Sequence, residues 1–329
     1  MDTFNQVSNE EIEKSRNTIM KINEYYYRKM VGQYRLGNAL LVTLMCNGHI
    51  LIESVPGLAK TTAAKTMTEA INGTFSRIQC TPDLLPSDII GTQILNYSTN
   101  EFDTKLGPVY ANFVLLDEIN RSSAKTQSAM LEVMQEQQVT IGEQVFKMPD
   151  IFMVVATQNP IEQEGTYLLA EAQLDRFMLK EKLEYPTLEE EMEILNRIEQ
   201  DVFSTIGSVV SLEDIKFLQN TTKRIYIDQS IKKYIIAIIN ATRHPERYIP
   251  AELAQYITMG ASTRGAIVLM EISKAVALMS GRNYVIPDDV KALIHSALRH
   301  RISLNYAAVA DRVTEENIID AIVGAIQTP

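Results

Sequence analysis

The stretch HILIESVPGLAKTTAAKTMTEAIN, residues 49–72, decides the fold of this chain. A short apolar run leads into a loop with proline and glycine and then into a helical pattern, which is the context of a phosphate-binding loop. Lys60 and Thr61 match the pattern G-x-x-x-x-G-K-[ST], but Ser54 and Ala59 replace its two glycines. Taken alone, the stretch is compatible with a nucleotide site and with an ordinary helix start that carries a surface lysine.

The loop would bind phosphate through its backbone N–H groups and the helix N-terminus, while the lysine reaches the β- and γ-phosphates. Gly57 follows Pro56 and can adopt backbone angles closed to other residues. Ala59 keeps its N–H and adds only a methyl group, so phosphate binding can survive there. Ser54 is the more serious departure, because a side chain at the loop entry restricts the backbone angles.

The first half of the chain alternates short β-rich apolar runs with longer helical patterns. That alternation is typical of βαβ units with a parallel sheet. Two of the runs are continuously apolar, as expected for central strands that helices cover on both faces. We therefore predict an α/β fold with five strands, at residues 49–53, 75–80, 113–118, 152–157 and 177–183.

Two insertions interrupt this alternation. The segment 81–112 is too long for an ordinary connection between a helix and a strand, and it predicts an inserted β-hairpin at 92–106. A second hairpin is predicted at 138–148. Inserted segments of this kind often carry function.

After residue 185 the β signal fades and amphipathic helical patterns take over. Ser211 and Asp214 have the spacing of a capping box, and Thr314 is placed as the N-cap of a final helix. We predict a core domain at 1–185, with an N-terminal helix and the inserted hairpins, followed by a smaller all-helical domain at 186–329.

Composition limits the classes of function. The net charge of −10 argues against a broad nucleic-acid-binding face, which would need clustered Lys and Arg. The chain has only two cysteines, Cys46 and Cys80, which suits a reducing compartment. Neither these cysteines nor the four scattered histidines have the spacing of metal ligands. We see no signal-peptide pattern and no run of about 18 apolar residues, so we expect a cytoplasmic protein.

Polar residues follow two of the buried strands, at the edge where open α/β sheets bind their ligands. Asp117 and Glu118 end the third strand, and Asn159 lies just beyond the fourth. Asp117 would hold Mg²⁺ through water, together with the Thr61 hydroxyl. Glu118 would orient or deprotonate an attacking water, and Asn159 would hydrogen-bond both that water and the γ-phosphate.

Two arginines complete the predicted site. Arg176 precedes the fifth strand and could project towards the γ-phosphate of a neighbouring subunit as an arginine finger. Arg264 begins a helix of the second domain and could contact the nucleotide from there. Taken singly, each is also compatible with an ordinary surface arginine, and their order along the chain is what favours a functional interpretation.

The order of these motifs resembles that of the MoxR family of AAA+ ATPases, in the clade that carries an insert in helix 2. The resemblance covers nearly the whole chain and rests on long stretches, which are more specific than single motifs. These stretches are VGQ (31–33), RIQCTPDLLPSDIIGT (77–92), GPVYANFVLLDEINR (107–121), KTQSAMLEVMQEQQVTIG (125–142), VVATQNPIEQEGTYLLAEAQLDRF (154–177), GASTRGAI (260–267) and GRNYVIPDDV (281–290).

The resemblance implies a role for each matched residue. Lys60 and Thr61 would be Walker A residues, Asp117 and Glu118 Walker B, Asn159 sensor 1, Arg176 the arginine finger and Arg264 sensor 2. The implied nucleotide-binding residues are Val31, Gly32, Gln33, Val55, Pro56, Gly57, Leu58, Ala59, Lys60, Thr61, Thr62 and Arg264.

The chain also departs from the family pattern in places. PGLAKT is the usual family loop, so Ala59 is no departure, whereas Ser54 stands where glycine is usual. Leu168 and Ala170 also differ from the common PLPEAQLDRF. We expect these changes to tune affinity or rate, because no matched catalytic position is lost.

For the assembled protein, the resemblance implies an ATP- and Mg²⁺-dependent hexameric ring that remodels a protein client. Partners with a von Willebrand factor A domain are common for such proteins, and the hairpins would face the pore or the client. Two alternatives stay open: a nucleotide-gated assembly protein with negligible hydrolysis, which Ser54 favours and Glu118 opposes, and a nucleic-acid motor, which the acidic charge opposes.

Overall fold

A computed structural model describes residues 7–160, 166–199 and 207–329 and contains eleven β-strands within these ranges. Nine of them correspond to the five apolar runs and the two predicted hairpins, and the other two lie in the part of the chain predicted to be helical. Five of the strands form one sheet in the order β2-β5-β8-β1-β9, and the other six form three two-stranded pairs. The strands are β1 (Ile50–Glu53), β2 (Phe75–Gln79), β3 (Gly91–Asn96), β4 (Glu101–Leu106), β5 (Phe113–Asp117), β6 (Gln138–Ile141), β7 (Gln144–Lys147), β8 (Met153–Gln158), β9 (Leu179–Lys182), β10 (Ile257–Met259) and β11 (Ser303–Leu304).

The five predicted core strands are confirmed, and the pairs β2–β5, β5–β8 and β1–β8 are parallel. The register aligns their carboxyl ends, because Gln79 pairs with Asp117 and Glu53 pairs with Gln158. Every residue of β5 is buried, and so are the first five residues of β8, which explains their continuous apolar composition.

Both predicted hairpins form. In one, β3 and β4 pair antiparallel from Gly91↔Leu106 to Asn96↔Glu101. In the other, β6 and β7 pair around a two-residue turn, in which Gly142 has a φ of +63°. A Cβ on Gly142 would lie 2.4 Å from the Gln93 side chain, so the two hairpins are packed against each other at this point.

The described part of the chain contains fifteen α-helices. They are α1 (Asn9–Lys29), α2 (Tyr34–Met45), α3 (Lys60–Ala70), α4 (Pro86–Ile90), α5 (Ala124–Glu136), α6 (Glu171–Leu174), α7 (Leu188–Glu199), α8 (Leu212–Arg224), α9 (Gln229–Arg243), α10 (Ala251–Ala254), α11 (Thr263–Met279), α12 (Pro287–Lys291), α13 (Ile294–Leu298), α14 (Tyr306–Ala310) and α15 (Glu315–Ala325). None of the helices within the described ranges has the length and apolar character that a membrane span requires.

The described residues divide into two compact units. One holds the five-stranded sheet, except for the first two residues of β9, and comprises residues 20–177 and 181–216. The other comprises the described residues up to 19 together with 178–180 and 217–329, and apart from those two β9 residues and the short β10–β11 pair it is helical. Residues 186–216, which we assigned to the helical domain, group with the sheet in this division; the domain limit at 185/186 stays a prediction.

The helical unit is held together by apolar faces of its longer helices. Ile238 and Leu269 are completely buried on α9 and α11, and Ile318 is completely buried on α15. The predicted cap of α15 is present, because the Thr314 hydroxyl accepts a hydrogen bond from the Asn317 N–H at 3.3 Å. Ser211 likewise caps α8: its hydroxyl accepts from the Asp214 N–H at 3.2 Å, and its own N–H donates to Asp214 Oδ2 at 3.0 Å.

Candidate functional site

The loop after β1 begins with a buried serine that fits its position without strain. The Ser54 N–H donates to the Gln158 carbonyl oxygen at 3.1 Å and extends the β1–β8 ladder by one bond. Its side chain is buried and donates to the Val55 carbonyl oxygen at 3.1 Å. Ser54 has no positive φ, so its Cβ does not force the loop away from this path.

The left-handed residues of the loop lie further along. Gly57 has a φ of +88°, which glycine adopts at little cost, and Ala59 has a φ of +54° directly before α3. For an alanine this conformation costs about 1 kcal/mol. After this turn, Lys60 is the first residue of α3 and Thr61 is the second. The N–H groups of the first helical turn therefore lie at the end of the loop.

The two acids that end β5 are held by a buried threonine of β8. The Thr157 hydroxyl donates to Asp117 Oδ1 at 2.9 Å and accepts from the backbone N–H of Glu118 at 2.9 Å. Glu118 has a φ of +58°, a left-handed conformation that persists only when neighbouring groups hold it. Thr157 therefore determines how both carboxylates leave the sheet.

Both carboxylates also contact arginines of the same chain. Arg77 on β2 donates through Nη2 to Asp117 Oδ2 at 2.5 Å, and Arg121 Nε lies 3.1 Å from Glu118 Oε2. Gln79 Nε2 reaches the same Glu118 oxygen at 3.5 Å. Cationic or amide donors thus compensate the negative charge of the acid pair.

Lys60 lies in the electrostatic field of these acids. Burial lowers the pKa of its ammonium group, and the charges of Asp117 and Glu118 oppose that shift. The aligned carboxyl ends of β1, β8 and β5 place the start of α3, with Lys60, at the same edge of the sheet as Asp117 and Glu118, in agreement with this charge interaction.

Asn159 belongs to the same edge by its place in the chain. It follows Gln158, whose carbonyl oxygen receives the Ser54 N–H and whose side chain donates to Glu53 Oε2 at 2.7 Å. Its side chain is buried. The parallel register therefore places Asn159 between the start of the phosphate loop and the acid pair.

A cavity of about 330 Å³ adjoins the loop. Its lining is mostly apolar, which suits the flat ring of a nucleotide base. Residues predicted for the site supply six of the lining positions, namely Val31, Gln33, Gly57, Leu58, Ala59 and Thr62. Gly32, Val55 and Pro56 belong to the same two loops, and the φ of Gly32 is +63°.

Sequence reasoning missed several lining and supporting residues. Pro186, Ile194 and Ile198 line the cavity from α7 and the segment before it. The sequence predicted only amphipathic helical patterns after residue 185, and such patterns do not show which cavity the apolar residues of a helix line. Thr157 carried a clearer signal, because it is a polar residue that follows four apolar ones in β8, and a buried polar residue requires partners.

The two predicted arginines belong to different units. Arg176 donates through Nε to Gln135 Oε1 at 3.0 Å, in the unit that holds the sheet. Arg264 belongs to the helical unit, at the start of α11, where Ser262 is the N-cap. Their roles as arginine finger and sensor 2 stay predictions, and residues 161–165 of the matched stretch lie outside the described residues.

The donors at this edge fit a hard divalent cation. The Thr61 hydroxyl and the Asp117 carboxylate are oxygen ligands of the kind that Mg²⁺ prefers. Asp117 is only 8% exposed, so a cation there would be shielded from bulk water. A loop with free N–H groups, a lysine, an oxygen pair for a cation and a second acid are together suited to phosphate-anhydride hydrolysis.

Comparisons with known proteins agree with this chemistry. Residues 49–179 match the family described as "ATPase family associated with various cellular activities (AAA)", and residues 251–322 match the AAA lid domain. The chain is 45% identical to a Mycobacterium tuberculosis protein named Chaperone MoxR1, over 92% of this chain and 80% of that protein. It is 42% identical to an uncharacterized Bacillus subtilis protein, over 94% of each. A crystal structure of a candidate ATPase from Cytophaga hutchinsonii is 45% identical, covers 97% of both chains and superposes with a TM-score of 0.91.

Proposed function

The chain belongs to the MoxR family of AAA+ ATPases, and from that premise we propose that it couples ATP binding and hydrolysis to the remodelling or maturation of a protein client. The convergence of Lys60, Asp117 and Glu118 beside a left-handed loop is the observation that supports ATP as its substrate. The cavity lined by Val31 and Leu58 would receive the adenine.

In this proposal, each residue at the edge has a distinct task. The loop N–H groups and Lys60 bind the phosphates, and Thr61 and Asp117 hold Mg²⁺, which when bound neutralises charge on the phosphate oxygens. Glu118 orients the attacking water and accepts its proton, while Asn159 hydrogen-bonds that water.

The assembled protein would be a hexameric ring in the cytoplasm. Arg176 of one subunit would then contact the γ-phosphate held by its neighbour, and Arg264 would contact the nucleotide of its own subunit. A protein with a von Willebrand factor A domain is the partner class that we propose.

The hairpin of β3 and β4 is our proposed contact for the client. Tyr97 at its tip is 90% exposed and Phe102 is 65% exposed. Exposed aromatic rings on a protruding hairpin are suited to holding an unfolded or partly folded polypeptide, because they bury large apolar area on contact.

Turnover of ATP by the assembled protein tests the proposal. Purified protein with Mg²⁺ should hydrolyse ATP, whereas Lys60→Ala should lose most nucleotide binding because phosphate charge is no longer compensated. Glu118→Gln should still bind ATP but hydrolyse it slowly, since an amide cannot accept the proton. Binding is measured with a fluorescent ATP analogue and turnover by phosphate release.

The outcomes separate the proposal from its alternative. ATP binding with equal, negligible release in wild type and Glu118→Gln would favour a nucleotide-gated assembly protein that does not turn over. The engagement of both acids by Arg77 and Arg121 is the observation that favours this alternative. Capture of proteins by the Glu118→Gln ring in ATP, compared with Lys60→Ala, would identify the client.

A further inference from the structure

Arg176 makes contacts within its own subunit that have no role in the reaction proposed above. Its Nε donates to Gln135 Oε1 at 3.0 Å, and its Nη1 lies 3.5 Å from the Ala172 carbonyl oxygen. A guanidinium has five N–H donors in a planar fork. These two contacts use the Nε–H and one N–H of Nη1, so the Nη2 amino group can donate to a further acceptor.

Both ends of this contact start from a backbone that buried neighbours anchor. Gln135 lies in the last turn of α5, which Leu131 and Met134 anchor in the core, and His49 bonds the Met134 carbonyl oxygen at 3.1 Å. The backbone of Arg176 is held by the buried neighbour Phe177, but its side chain is long and only partly buried. The Gln135 side chain is exposed and the Arg176 side chain is half-buried, but both start from an anchored backbone, so the hydrogen bond between them restrains the guanidinium relative to α5.

We propose that Gln135 is a positioning residue for the arginine finger: it holds the Arg176 guanidinium through Nε and leaves Nη2 to donate to the γ-phosphate of a neighbouring subunit. This inference rests on the proposed function, in which Arg176 completes a neighbour's site. A long arginine that samples several rotamers would reach the γ-phosphate less often, so the restraint raises turnover without touching substrate.

Loss of this hydrogen bond should lower turnover without changing nucleotide binding. Gln135→Met, which keeps the length of the side chain but removes the acceptor, should lower kcat about threefold to tenfold in assembled rings. The affinity for a fluorescent ATP analogue and the size of the ring should not change. Gln135→Glu, which keeps an acceptor for Nε, should remain within about twofold of wild type. Glu132→Ala, an exposed change on the same helix, is the matched control and should leave kcat unchanged.

A double-mutant cycle gives the readout that a merely structural role would not produce. In the Arg176→Ala background, Gln135→Met should cause no further loss, because its effect passes through the guanidinium. An additional loss of equal size in that background would overturn the inference, and so would wild-type kcat in Gln135→Met alone. Normal turnover by Arg176→Ala itself would instead remove the proposed finger, and the positioning role with it.

Discussion

Thr157 is the residue on which the geometry of the acid pair depends. Its hydroxyl donates to Asp117 and accepts from the Glu118 N–H, and its side chain is completely buried. A buried hydroxyl with two partners contributes most through what its loss would leave unsatisfied.

Thr157→Val should therefore destabilise the protein by about 1–3 kcal/mol, because a buried carboxylate and a buried N–H each lose a partner. Turnover should fall by up to about 100-fold, since Asp117 and Glu118 are no longer oriented. Thr157→Ser, which keeps the hydroxyl, is the matched control. Chemical unfolding and phosphate release measure the two effects, and equal behaviour of the two variants would contradict this role.

Ser54 is the residue where this loop departs from the usual pattern, and its backbone is unstrained. Ser54→Gly should change nucleotide affinity by less than about threefold and lower the free energy of unfolding by about 1 kcal/mol through added chain entropy. Ser54→Ala, which removes only the hydroxyl, isolates the bond to the Val55 carbonyl oxygen. A large gain of affinity in Ser54→Gly, measured by titration, would mean that the side chain does restrict the loop.

At the scale of elements, His49 joins three of them. It lies just before β1, accepts the Val154 N–H of β8 at 3.0 Å through Nδ1, and contacts the Met134 carbonyl oxygen of α5 at 3.1 Å through Nε2. Burial lowers the pKa of His49 from 6.5 to about 4, while the Met134 carbonyl opposes the shift. The neutral imidazole is thus the form that the fold requires.

The stability of the sheet unit should consequently depend on pH. Between about pH 6.5 and pH 4 the unfolded chain binds a proton at His49 that the folded chain excludes, so the free energy of unfolding falls as pH decreases. The expected loss is about 2 kcal/mol between pH 7 and pH 5. Denaturant unfolding at both values measures it, with His49→Gln as the reference that lacks this group. Parallel losses in both proteins would contradict the assignment.

At the scale of the whole molecule, the proposed site is complete only when two subunits meet. Lys60 belongs to the site of its own subunit, whereas Arg176 would serve the neighbour. In the proposed ring, hydrolysis would be a property of the oligomer, because a lone subunit would lack the finger.

Mixed rings test this sharing. Lys60→Ala and Arg176→Ala subunits should each be nearly inactive alone, since one lacks nucleotide and the other lacks the finger. Mixed in equal amounts, they should recover up to about a quarter of wild-type turnover, because that share of interfaces combines an intact loop with an intact arginine. Absence of recovery, with mixing verified by differently tagged subunits, would place Arg176 outside the neighbour's site.

The sequence by itself determined the parts of this protein that depend on local patterns. The apolar runs at 113–118 and 152–157 predict the buried strands. Asp117 at the end of the first run and Asn159 after the second indicate the edge of the sheet where the candidate site lies. Capping spacing placed the start of the helix after Thr314. Periodicity and caps act within a few residues, so they can be read from the chain directly.

Only the tertiary structure decided which distant side chains serve that edge. Thr157 lies forty residues after Asp117 along the chain and Arg77 forty residues before it, yet both side chains donate to the Asp117 carboxylate. Likewise, Gln135 meets Arg176 across forty-one residues. Strand register and helix packing create these contacts, and a spacing pattern carries no information about which of many polar residues the folded chain brings together.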